Sequence, residues 1–151
     1  MQKTTLTTIY NRDLNRLLTE IQQYNNEADL WKVNGQIKNS AGNLCLHLIG
    51  NLNLYIGKVL GNSNYIRTRE LEFSCKNIPG TELIKKIEET IETINLSLDN
   101  LDEKLLESEY PLLVFDEMTS TEFLLVHLAT HLNYHLGQIN YHRRMINNDT
   151  K

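Results

Sequence analysis

Apolar positions recur at alternating three- and four-residue steps along most of the chain, and the elements this spacing predicts are helices. The first covers about Asp13 to Asn26, with Leu14, Leu17, Leu18, Ile21 and Tyr24 on one face. Asn39 or Ser40 caps the second, which reaches about Leu60. Leu44, Leu46, Leu48, Ile49, Leu52, Leu54, Ile56 and Val59 make that helix apolar nearly all round, so it must be covered on several sides. In the third, Ile84, Ile87, Ile91, Ile94, Leu98, Leu101 and Leu105 form a heptad seam, with Lys85, Lys86, Glu88, Glu89 and Glu92 off it. A lone seam of this length beside three other helices predicts bundle packing rather than an intermolecular coiled coil. The fourth starts at Thr119, where Thr-Ser-Thr-Glu sets Glu122 in a capping box, and runs to about Asn147. Thr130, Asn133, Asn140 and Arg144 fall on its far side.

Between the second and third helices lies a long connection, Asn62 to Gly80, longer than a compact domain tolerates without a purpose. It allows a crossover, so consecutive helices need not be antiparallel. Its centre, Tyr65 to Phe73, reads as a short extended segment with Arg67, Arg69, Leu71 and Phe73 facing one way. Links near Ala28–Asn39 and Glu107–Met118 are also substantial. Two prolines and seven glycines are too few for a turn-rich β fold, and no repeat or domain boundary interrupts the pattern. Residues 1–151 therefore read as one all-α domain.

Composition narrows the class. At 40% hydrophobic residues the chain is not disordered, and 151 residues can bury a sizeable core. The longest apolar runs fall far short of the ~18 residues that span a bilayer. Met1 to Arg12 lacks the order of a secretion signal. A net charge of −4 without a basic block argues against nucleic acid as a partner. Cys45 and Cys75 make neither a disulfide framework nor a CxxC pair. A cytoplasmic protein without membrane attachment is expected.

The chemistry lies in the histidines. His127, His131, His135 and His142 all belong to the last helix and point within about 60° of its apolar stripe. A single inward histidine is usually a hydrogen-bonded core residue, but three at successive i, i+4 spacing need partners, and a metal ion satisfies several at once. Zinc–nitrogen bonds of about 2.0–2.1 Å require ligand nitrogens within roughly 4 Å of one another. Residues i and i+8 are about 12 Å apart along a helix, so His127 and His135 cannot share an ion. The pair is His127/His131 or His131/His135. A third ligand should come from a facing helix. His47 is the remaining histidine, and Ser40, Asn43 and Asn51 lie within about 40° of it, a polar stripe inside an apolar helix. Gly50, Gly57 and Gly61 share one side of that helix, and Gly137 sits in the last; close helix approach, or room for a ligand, would offset their cost of about 1 kcal/mol each.

His131-Leu-Asn-Tyr-His135-Leu-Gly-Gln-Ile139, with His47 in Leu44-Cys-Leu-His-Leu-Ile-Gly-Asn51, resembles the DinB/YfiT-like metalloenzyme family. The resemblance covers most of the chain, to Arg144. It implies a four-helix bundle with a long crossover between helices two and three, and a divalent metal held by His47, His131 and His135. Gln138 matches the motif's glutamine. The family includes thiol-dependent S-transferases and a thiol-dependent isomerase, so a small-molecule substrate, such as a low-molecular-weight thiol, is the partner it implies. A homodimer is expected on the same ground, with Tyr134 and Tyr141 outside the core stripe.

Three imidazoles leave a position open, the arrangement of catalytic rather than structural zinc. Nickel, iron and manganese also suit imidazole ligands. Position 132 is Leu, so the glutamate of a zincin peptidase is missing and proteolysis is not expected. His127 is the candidate acid/base, because imidazole exchanges protons near neutral pH. Asn43, Asn51 and Gln138 are candidate pocket residues, and Arg67 and Arg69 could clamp a carboxylate. Cys45 falls on the opposite side of its helix from His47, a core position. Two readings follow: a metal-dependent transferase or hydrolase, and a non-catalytic metal-containing bundle serving as a stress-related binding protein.

Overall fold

A computed structural model describes residues 2–147; the regular elements among them are helices, with no strand. The five helices are α1 (Lys3–Gln22), α2 (Ala41–Leu52), α3 (Arg69–Ser74), α4 (Gly80–Asn100) and α5 (Thr121–Asn147). Among the described residues no helix is long and apolar enough to cross a membrane.

α1 begins ten residues earlier than the Asp13 start predicted from the pattern. Leu6 and Tyr10 extend the buried stripe of Leu14, Leu17 and Ile21 towards the N-terminus at helical spacing. The Thr-rich start is accommodated because Thr7 and Thr8 donate their hydroxyls to the carbonyls of Lys3 and Thr4, one turn back. Tyr24 lies beyond the end of this helix, at Gln22. α5 is capped one residue later than predicted: Ser120 Oγ, not Thr119, accepts from the Phe123 amide at 3.1 Å. The Thr119 carbonyl instead accepts from Tyr110 N, in an isolated bridge that closes the preceding loop.

α2 stops at Leu52, and its path continues through Asn53–Lys58 in wider, π-type turns. Tyr110 Oη donates to the Tyr55 carbonyl at 2.8 Å, and Asn53 Nδ2 bridges Ile49 O and Thr90 Oγ1. Gly57 and Gly61 lie against α4 here. A Cβ on either would fall within 2.8 Å of Thr93 or Ser97, so close helix approach accounts for both. It does not account for Gly137, where a Cβ would meet nothing within 4 Å.

The α4 seam is buried at Ile87, Ile94, Leu98 and Leu101. Leu105 lies beyond the helix, in a short 3-10 turn, and is 48% exposed, so the heptad reading overran the element. Lys3 Nζ donates to the Asp99 and Leu101 carbonyls at the end of α4, where a cation complements the helix dipole.

α1 packs against α4 and α5, and α2 packs against the same two helices. Side-chain pairing fixes their directions. Asn11 meets Asn95 while Lys3 meets Asp99, so α1 and α4 are antiparallel. Asp13 meets Asn133 and Glu20 meets Asn140, so α1 and α5 run together. Asn133 and Asn140, placed by the sequence pattern on the far side of the last helix, thus face α1.

Asp13 is fully buried and takes hydrogen bonds from Arg12 Nε at 2.7 Å and Asn133 Nδ2 at 3.1 Å. Burial raises the carboxyl pKa, but the hydrogen bonds and positive charge around it outweigh burial and hold it below 3.8. A lowered carboxylate pKa contributes stability above the ordinary value that is lost as pH falls through the folded value. Asp13→Asn is therefore expected to destabilise the fold by about 1–3 kcal/mol at neutral pH. Urea unfolding should show the gap from the parent protein closing as pH drops below 3.8.

Candidate metal centre

α2 and α5 bring His47 to His131 across a separation of 84 positions. Their Nε2 atoms are 3.2 Å apart, and His135 Nε2 lies 3.1 Å from His131 Nε2. One ligand atom from each of the three imidazoles lies within 4.8 Å of the others. Tetrahedral zinc with bonds of about 2.0–2.1 Å sets neighbouring nitrogens about 3.3–3.4 Å apart, close to the two short separations here. His131 stands edge-on to both partners, with interplanar angles of 79° and 90°. His47 is buried, and His131 and His135 are half-buried.

The placement of protons favours a cation at this point. His47 Nδ1 lies 3.1 Å from Glu72 Oε1, and His135 Nδ1 lies 2.7 Å from Gln138 Oε1. A neutral imidazole carries one N–H, and an acceptor oxygen at Nδ1 places it there, leaving Nε2 as a lone pair. His131 Nε2 can offer at most one hydrogen, so it cannot bridge both neighbours. Its own Nδ1 is buried without a partner. Burial, reinforced by His135, His47 and His127, pushes the His131 pKa down to about 4. Burial also lowers His135, opposed by the hydrogen bond to Gln138. Both rings are thereby kept neutral at neutral pH, the state that ligates metal. The residues present fit a divalent ion.

The other predicted residues take varied positions. His127 stacks on His131 at 6.3 Å between centroids, with its edge against Phe115, and is not in the cluster. The geometry thus selects His131/His135 over His127/His131. His142 is a hydrogen-bonded core residue: its Nδ1 faces Tyr24 Oη and its Nε2 the Lys32 carbonyl. Asn43 donates both amide hydrogens to the link, to Glu72 O and Cys75 O. Asn51 is buried, with Oδ1 unpartnered. Arg67 does clamp a carboxylate, that of Glu72 in its own chain, through two bonds of 2.8 Å. Arg69 lies exposed over the Phe73 ring, 5.5 Å from its centroid. Tyr134 and Tyr141 are exposed, as the pattern predicted. Cys45 is buried, and burial raises its thiol pKa to about 12; Cys75 ends α3, and neither forms a disulfide.

The second half of the link's centre, from Arg69, is helix rather than extended chain. Thr68 turns it into α3, and this short helix carries Glu72 onto His47. Sequence reasoning missed Glu72, because nothing local separates it from Glu70, which is exposed two residues earlier.

Among the described residues, whose regular elements are all helices, three imidazoles from two helices gather at one point, a group that could hold a metal ion. Residues 6–151 match the family model described as protein of unknown function DUF1572, and the chain belongs to that family. The family is DinB-like, in agreement with the motif resemblance. No curated protein matches the chain.

Proposed function

We propose that this protein is a metal-dependent enzyme of the DinB/YfiT-like type: a four-helix bundle with a crossover, acting on a small molecule by transfer or hydrolysis. His47, His131 and His135 would hold the ion, zinc or nickel ahead of iron or manganese. The observation that carries this reading is the convergence of three Nε2 atoms, two of them 3.1 and 3.2 Å from the third. When bound, a divalent ion supplies Lewis acidity that activates water or a thiol as nucleophile at neutral pH.

The chain's own groups do the rest. The Nδ1 contacts of His47 and His135 keep their Nε2 lone pairs turned inward. His127, one turn before His131, is the imidazole placed to hold or move a proton beside the centre. Leu132 is fully buried, so no carboxylate stands at the zincin position, and peptide hydrolysis is not the reaction proposed.

Metal analysis of the purified protein is the direct test. About one equivalent of a first-row divalent ion is expected, and a metal-free preparation that takes up none on dialysis would refute the proposal. Chelation should also lower Tm. Ligand at roughly 1,000 times its Kd adds about 4 kcal/mol of stability, which metal removal withdraws. His127→Ala is expected to keep the metal and lose turnover of a thiol or ester substrate found by screening.

A further inference from the structure

We infer that Glu72 is a positioning residue that sets how tightly His47 holds a metal ion, delivered to the imidazole by the docked α2–α4 link. This rests on the metal-site reading above.

Four independent features hold this one carboxylate in place. Glu72 is 6% exposed, with Oε1 3.1 Å from His47 Nδ1. Arg67 grips it in fork geometry, Nε to Oε2 and Nη2 to Oε1, both at 2.8 Å. Asn43, on the same helix as His47, fastens the backbone beneath it by donating to the carbonyls of Glu72 and Cys75 at 2.9 and 2.8 Å. Gly50 makes the space: a Cβ there would lie 1.9 Å from Glu72 Oε2. Removing an ion pair from water is costly, and a link serving only as a connection could leave both charges in solvent.

The consequence for His47 is chemical. A carboxylate at Nδ1 fixes the proton on that nitrogen, turns the Nε2 lone pair towards His131 and makes it a stronger donor. Without the carboxylate, the Arg67 guanidinium, 3.5 Å from His47 Nδ1, would face the ring unneutralised and oppose a cation on its other side. Loss of such a supporting group typically weakens metal binding about 10–100-fold.

The test uses the full chain, with zinc affinity measured by competition against a chromophoric chelator. Nitrogen-15 histidine NMR of the metal-free protein reports which His47 nitrogen bears the proton. Glu72→Ala, which removes the acceptor, is expected to weaken zinc about 10–100-fold and to release His47 from the Nδ1–H form. Because E72A leaves Arg67 without its partner, Gly50→Ala supplies a second arm. It retains Arg67, Glu72 and all three imidazoles, and Ala is the better helix former, yet it displaces the carboxylate. G50A should weaken zinc about tenfold in a folded protein, within the range for loss of a supporting group. Zinc affinity within twofold of the parent in the folded variants, with His47 still in the Nδ1–H form, would overturn the inference. If the parent protein itself takes up no zinc, the metal-site reading fails instead.

Discussion

His131→Ala is expected to abolish metal binding. His131 Nε2 is the central atom of the cluster, 3.2 Å from His47 and 3.1 Å from His135, so its loss removes the nitrogen common to both short separations. Two imidazoles on different helices would remain. The effect should exceed the ~10–100-fold that loss of a supporting group costs, because a ligand itself is gone. Equilibrium dialysis followed by elemental analysis measures it, and stoichiometric metal in the variant would refute the assignment. Stability should behave differently. In the metal-free protein the imidazole is partly desolvated with its Nδ1 unpartnered, so trimming it removes an unfavourable burial along with some packing. Metal-free H131A should match the metal-free parent within about 1 kcal/mol in urea unfolding. Loss of metal without loss of fold is the pattern expected of a site residue.

Leu132→Ala, one position along, should do the reverse. Leu132 is fully buried and part of the core. Deleting a buried leucine side chain typically costs about 2–5 kcal/mol through lost transfer energy and the cavity left behind. Against a total of about 5–15 kcal/mol, that is a large fraction. Tm should fall by about 4–20 °C for a chain of this size, read by calorimetry of the metal-free protein. The folded fraction should still bind one metal, since Leu132 lies about 100° around α5 from His131 and supplies no ligand atom. A folded L132A protein that has lost its metal site would mean that core packing and the site are mechanically coupled.

The one-turn pairing of His131 and His135 was legible before any coordinates, because it depends on helical geometry alone: at 3.6 residues per turn, residues i and i+4 share a face. The helical class and the buried α4 stripe through Ile87 and Ile94 follow from the same periodicity. The Lys3 start of α1 was not legible, because its Thr-rich turns have low helix propensity and are held by tertiary contacts of Leu6 and Tyr10. Nor was α3, whose six residues are too few to show a period and which is stabilised by docking on α2.

Local spacing determined that this chain is helical and that its last helix carries a pair of imidazoles one turn apart. It left open whether His127 or His135 completes that pair, since both obey the same spacing from His131. Tertiary structure decided this by setting His47 beside His131 and His135, and it alone brought Glu72 to the far nitrogen of His47. The reason is one of range. Periodicity reports which residues share a face of one helix, whereas the meeting of residues 25 and 84 positions apart depends on how the helices pack and where the link docks.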